Sequence, residues 1–94
     1  MSEYIEIETE VDEETPFTIH FFTNLLLTRS DSTERYESTL ELAEGSPLAQ
    51  ALLPIMGIET CEIERSTLTI QHDPNVPEYA IVADVSAAIK DFFL

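Results

Sequence analysis

The spacing of apolar and polar positions changes several times along this chain, and each change predicts an element. In residues 4–11, Ile5, Ile7 and Val11 share one parity, with acids between them. That alternation predicts a short edge strand with one apolar face, its outer face charged against pairing with other chains. Residues 1–3 read as a solvated tail and 12–15 as a loop. Residues 17–22 are rich in β-formers, Thr23-Asn24 suits a turn, and residues 25–28 are almost continuously apolar. This predicts a hairpin with a central, two-sided return strand. Residues 29–34 read as a loop and 35–38 as a third short strand. Residues 39–45 are ambiguous between a loop and a helical turn.

From Ser46 the period becomes helical. Ser46 can accept an orphan backbone N–H, and Pro47 stands at the first helical position, where its missing donor costs nothing. Leu48, Leu52 and Ile55 follow at helical spacing, and Gly57 suits a left-handed stop. Pro54 removes one helical bond and should tighten the last turn. The predicted helix runs from residue 47 to about 55. Residues 58–72 predict a second hairpin turning at Arg65-Ser66. In that register Cys61 faces Ile70 and Ile63 faces Leu68 on one side. Thr60, Glu62 and Glu64 meet Gln71, Thr69 and Thr67 on the other, and a one-residue slip would scramble this sorting. Arg-Ser is a poor tight-turn pair, which leaves open a turn looser than two residues. After the breaker at 73–77, Asn75 and Glu78 have capping-box spacing. A helix then carries Ile81, Val85, Ala88, Ile89 and Phe92 on its apolar stripe. The expected fold is α+β: a mostly antiparallel sheet of four to five strands with two helices packed on one face, in the order β-β-(β)-α-β-β-α.

Length and composition add limits. With 94 residues and 44% hydrophobic content, the expectation is one domain spanning 1–94, with Phe21, Phe22, Phe92 and Phe93 as large core pieces. Nineteen acids oppose four bases, for a net charge of −15. With so few bases to neutralise phosphates, neither nucleic acid nor an anionic membrane surface is an expected partner; a basic protein is. The one cysteine, Cys61, excludes an intramolecular disulfide and a CxxC site. No secretory signal and no long apolar run stands out, so a reducing cytoplasm is the expected compartment.

The candidate chemistry is sparse. Cys61 points inward in the hairpin register and behaves as a small hydrophobe there. His20 and His72 show no ligand spacing and read as satisfied polar or rim histidines. The acids Glu8, Glu10, Asp12, Glu13 and Glu14 lack the glycine turn and ligand spacing of a calcium loop. They read as a solvated face that could bind a partner. No nucleophile elbow, phosphate loop or dinucleotide fingerprint is present, so no catalytic residue, cofactor or metal site is assigned and no enzyme is expected.

Ser46-Pro47-Leu48-Ala49-Gln50-Ala51-Leu52, then Gly57-Ile58, then the strand ending Leu68-Thr69-Ile70 and a terminal amphipathic helix, resemble the N-terminal domain of Nfu/NifU-like proteins. Ile5-Glu6-Ile7-Glu8-Thr9-Glu10 is similar to that family's opening strand. Thr15-Pro16 followed by Thr18-Ile19-His20-Phe21 is similar to its Thr-Pro segment and next strand. The family's Asn-Pro after Thr-Pro is replaced by Phe17-Thr18, and Pro54 interrupts the helix. In the family a CxxC motif in a second domain carries the iron–sulfur chemistry, and no such motif occurs up to Leu94. A bridging cluster needs a thiolate pair that Cys61 alone does not supply. The resemblance therefore implies an accessory, non-catalytic interaction module related to iron–sulfur cluster assembly, without its own cluster site, serving an assembly or carrier protein. The alternative expectation is an acidic inhibitor or nucleic-acid mimic occupying a basic groove, which needs carboxylates spaced regularly along one elongated face. A third, a small hydrolase or metal enzyme, needs a pocket where His20 or His72 meets carboxylates.

Overall fold

Five strands and three helices follow one another in the order β1 (Ile7–Val11), β2 (Thr18–Thr23), β3 (Glu34–Tyr36), α1 (Thr39–Ala43), α2 (Pro47–Leu52), β4 (Ile58–Glu64), β5 (Thr67–His72) and α3 (Glu78–Phe93). The computed structural model describes residues 5–28 and 33–93. The expected tail at 1–3 and most of the loop expected over 29–34 lie outside the described residues. The strands form one antiparallel sheet in the order β1-β2-β5-β4-β3. The architecture is the expected α+β sheet with helices on one face, and it has a third helix.

The β4–β5 hairpin has the predicted register: Cys61 opposes Ile70, Ile63 opposes Leu68, and Thr60, Glu62 and Glu64 oppose Gln71, Thr69 and Thr67. The turn is the two-residue Arg65-Ser66 pair, the tighter of the two alternatives. Alternation sends Ile19 and Phe21 of β2 to the same side as Cys61, Ile63, Leu68 and Ile70. With Leu48, Ala49 and Leu52 of α2 and Ile81, Val85 and Ile89 of α3, they form the buried core.

Four expectations are corrected. Residues 25–28 form no strand. Thr23 N–H and Leu27 N–H donate to the carbonyls of Ser66 and Arg65, so the chain leaves the sheet across the end of the β4–β5 hairpin. β2 instead pairs with β1 and β5. Helix α2 stops at Leu52, short of residue 55. Pro54 has no N–H for the Gln50 carbonyl, and Leu53 N–H takes it in a tighter turn. The Asn75–Glu78 capping box does not form, because Asn75 N–H donates to the Asp73 carboxylate and Pro77 provides the first helical carbonyl. Phe22, Phe92 and Phe93 are exposed, so Phe21 alone of the four expected aromatics is core. No helix among the described residues is long and apolar enough to cross a membrane.

The Ser46 cap forms as read: its Oγ accepts Ala49 N–H at 3.3 Å. Ser46→Ala is expected to lower stability by about 1 kcal/mol, read as an earlier urea midpoint with unchanged slope.

Candidate functional site: the uncovered face of the sheet

The helices cover one face of the sheet and leave the other in water. Strand alternation assigns the uncovered face its side chains, and the register lines them up in rows across the strands. Glu10, His20, Thr69, Glu62 and Arg35 make one row spanning all five strands. Glu8, Phe22, Thr67 and Glu64 make the next, and Thr18, Gln71 and Thr60 lie on the other side. Arg35 is loosely paired with Glu37 at 3.4 Å and Glu62 at 3.5 Å. Acids dominate the β1 edge and β4, with hydroxyls between them.

The five acids expected to bind a partner gather at the β1 end of this face, in two roles. Glu8 and Glu10 project from β1, and Glu13 and Glu14 lie exposed in the β1–β2 turn. Asp12 is a structural group. Its Oδ1 accepts the N–H groups of Glu14 and Thr15 at 2.8 and 3.0 Å, and its Oδ2 accepts from His20 Nε2 at 3.0 Å. A carboxylate only accepts, so His20 donates from Nε2, and its Nδ1 is hydrogen-bonded with the Thr69 hydroxyl at 3.0 Å. The bond from His20, then those from Thr15 and Glu14, hold the Asp12 carboxyl below its ordinary 3.8.

That lowered value adds stability above about pH 3.8, and the increment is lost as the pH falls through the folded value. Asp12→Asn is therefore expected to abolish this part of the acid limb. Urea unfolding of both proteins from pH 6 to pH 2 checks it. A wild-type advantage that does not shrink below about pH 4 contradicts the assignment.

His20 does meet carboxylates in an open depression lined by Glu10, Asp12 and Glu13, the arrangement a small hydrolase would require. Thr69, His20 and Asp12 have the connectivity of a hydroxyl–imidazole–carboxylate relay. Thr69 sits inside β5, between β2 and β4, and the ladders on both sides engage the backbone amides around it. These strands leave no spare amide pair to stabilise an oxyanion beside the hydroxyl. The constellation pins the β1–β2 turn to the sheet.

Cys61 lies on the opposite, covered face and is 1% exposed. Burial first, then the carboxylates of Glu34 and Glu62, push its thiol up to about 12. Above the ordinary 9.0 the unfolded chain ionises first, so stability falls as the pH rises from 9 toward 12. At neutral pH the folded thiol is expected to react with iodoacetamide about a thousandfold more slowly than the unfolded one. Alkylation followed by mass spectrometry with and without urea tests this. Among the described residues, no three His, Cys, Asp or Glu side chains gather as a metal-binding group.

His72 is buried at the end of β5, on the covered side with Ile70. Its Nδ1 donates to the Asp73 carbonyl at 3.0 Å. Sequence reasoning missed Phe17, the described non-glycine residue with a positive φ, 62°. Its only signal was position: the last residue of a turn, where glycine is the usual choice.

Comparison with solved structures places this architecture beside two others. The solution structure of a NifU-like protein from Saccharomyces cerevisiae superposes with a TM-score of 0.78 at 23% identity, over 97% of this chain and 82% of that one. The crystal structure of protein SAV1430 from Staphylococcus aureus superposes with a TM-score of 0.65 at 9% identity, over 89% of this chain and 94% of that one. No family model and no curated protein matches the sequence. The chain has the fold of a NifU-like protein.

Proposed function

We propose that this chain is a non-catalytic interaction module of iron–sulfur cluster assembly, working in the cytoplasm, that meets a basic assembly or carrier protein through the uncovered face of its sheet. The observation that carries the reading is the division of the sheet. The one thiol is turned inward and kept protonated, while the opposite face presents rows of carboxylates and hydroxyls to solvent. Such a face orients a basic partner and speeds its approach more than it adds affinity. The likeness to a NifU-like fold supports the process. The mimic reading is disfavoured because the carboxylates cluster on β1 and β4, with Phe22, Thr67 and Thr69 between them and Arg35 at the end.

Calorimetric titration with a basic, CxxC-bearing cluster carrier tests the proposal. Binding is expected at low salt and should weaken steadily as salt is raised. Undetectable or salt-insensitive binding contradicts it. Anaerobic treatment with ferrous iron and sulfide is expected to leave this chain colourless after desalting, and stoichiometric iron with a thiolate–iron band would overturn the reading of Cys61.

A further inference from the structure

A second concavity, of about 320 Å³, opens where the β1–β2 turn meets the start of α3. Its apolar walls are Val11, Val76 and the rings of Pro74 and Pro77, with Phe17 and His72 facing each other inside. Phe17 is 46% exposed while His72 is 4% exposed. Their rings meet edge-on, with centroids 5.9 Å apart and planes at 82°. Phe17 holds this position in the left-handed region at φ 62°, where a bulky side chain is strained. The strain is locked in, because the Phe17 carbonyl accepts His72 N–H at 2.9 Å, extending the β2–β5 ladder.

The polar groups of the concavity point to one kind of ligand. The Asp73 carbonyl can only accept, so His72 donates from Nδ1, and in the neutral ring the lone pair is at Nε2. Nε2 has no hydrogen-bond partner among the described residues, and no buried side-chain nitrogen or oxygen there lacks one. Nε2 therefore reaches the surface that the ring lines. Glu78 adds a carboxylate at the rim and offsets the positive end of the α3 dipole. The side chains here offer acceptors and no donor. The concavity shares Val11 with the acidic depression of Glu10, Asp12 and Glu13.

We propose that this concavity takes an arginine side chain of the basic partner. The planar guanidinium lies on the Phe17 ring and donates to the Glu78 carboxylate and His72 Nε2, and its stem packs on Val76 and the prolines. Guanidinium is donor-only, stacks on aromatic faces and is weakly hydrated, which matches each group present. The inference rests on the basic-partner reading and identifies where one side chain of that partner seats.

The test uses N-acetyl-arginine methylamide as the probe and its neutral citrulline isostere as the control, titrated into the full chain and followed by residue-resolved NMR. Saturable shifts centred on His72, Phe17 and Val76 are expected in the millimolar range, with the citrulline probe at least about tenfold weaker. Phe17→Gly restores the residue the turn prefers while deleting the ring, and Glu78→Gln removes only the charge. Each should weaken the probe about tenfold with the spectrum of the fold retained. If Phe17→Gly fails to fold, Glu78→Gln decides alone. Equal binding of the two probes, or no loss in the folded variants, overturns the proposal. Shifts confined to Glu8, Glu10, Glu62 and Glu64 also overturn it, and leave the basic-partner reading standing. Silence of the probe everywhere, with no carrier binding either, ends both.

Discussion

Phe21→Ala is expected to cost about 3–5 kcal/mol and to leave the fold marginal at room temperature. Phe21 is 0% exposed and is the largest of the fully buried side chains. It sits on β2 opposite Leu68 of β5, in the middle of the sheet face that the helices cover. Removing the ring deletes buried apolar area and leaves a cavity among branched neighbours that collapse poorly. A chain of this length has roughly 5–14 kcal/mol to lose. Urea unfolding should show a midpoint lowered by about a fifth or more, while Phe22→Ala, which points into water on the neighbouring position, should change it little. Equal effects at the two positions would mean that the assigned faces are wrong.

Gly57→Ala should be nearly as damaging, by about 2–4 kcal/mol, although it adds only a methyl group. Gly57 closes the segment after α2 with φ 99°, a conformation that L side chains rarely adopt. A Cβ there would also stand 2.8 Å from Val76 Cγ2 and 3.0 Å from its Cβ. The strain has no easy release, because the Gly57 carbonyl accepts Asp73 N–H at 2.8 Å and ties the start of β4 to the loop that carries Val76. The double variant Gly57→Ala/Val76→Ala separates the two causes. It should recover the clash component and keep the backbone component. Full recovery would place the whole effect in packing.

What could be read from the residues follows how local the determining physics is. The β4–β5 register was legible because one alignment puts Cys61, Ile63, Leu68 and Ile70 on a single face. The α2 start was legible because Ser46-Pro47 has a direct capping mechanism. Helix α1 has a signal in the sequence that the ambiguous reading of residues 39–45 does not use: Ser38 accepts Glu41 N–H, the capping arrangement of a serine followed three residues later by glutamate. Residues 25–28 misled because continuous apolar character marks burial without saying in which conformation. Leu27 is buried within the segment that crosses the end of the hairpin and not in a strand. The partner of β2 was hidden for a related reason, since pairing across about fifty positions leaves no local trace in Ile19 or Phe21.

The candidate site was half legible. Alternation predicted an acidic outer face on β1, and Glu8 and Glu10 are there. It could not show that Asp12 is taken up by His20 and the turn, nor that β4 contributes Glu62 and Glu64 to the same face. The Phe17–His72 pair joins residues 55 positions apart and depends on a backbone conformation that phenylalanine does not advertise.

The central claim is that the uncovered face, and not the buried thiol, is where this domain does its work. The most direct measurement compares the affinity of a basic, CxxC-bearing cluster carrier for wild type and for Glu8→Gln/Glu10→Gln/Glu62→Gln/Glu64→Gln at low salt. Four surface charges worth a few tenths of a kcal/mol each should together weaken binding about tenfold and flatten its salt dependence. Unchanged affinity in the folded variant, with the salt dependence intact, would contradict the account and move the partner's contact elsewhere on the molecule.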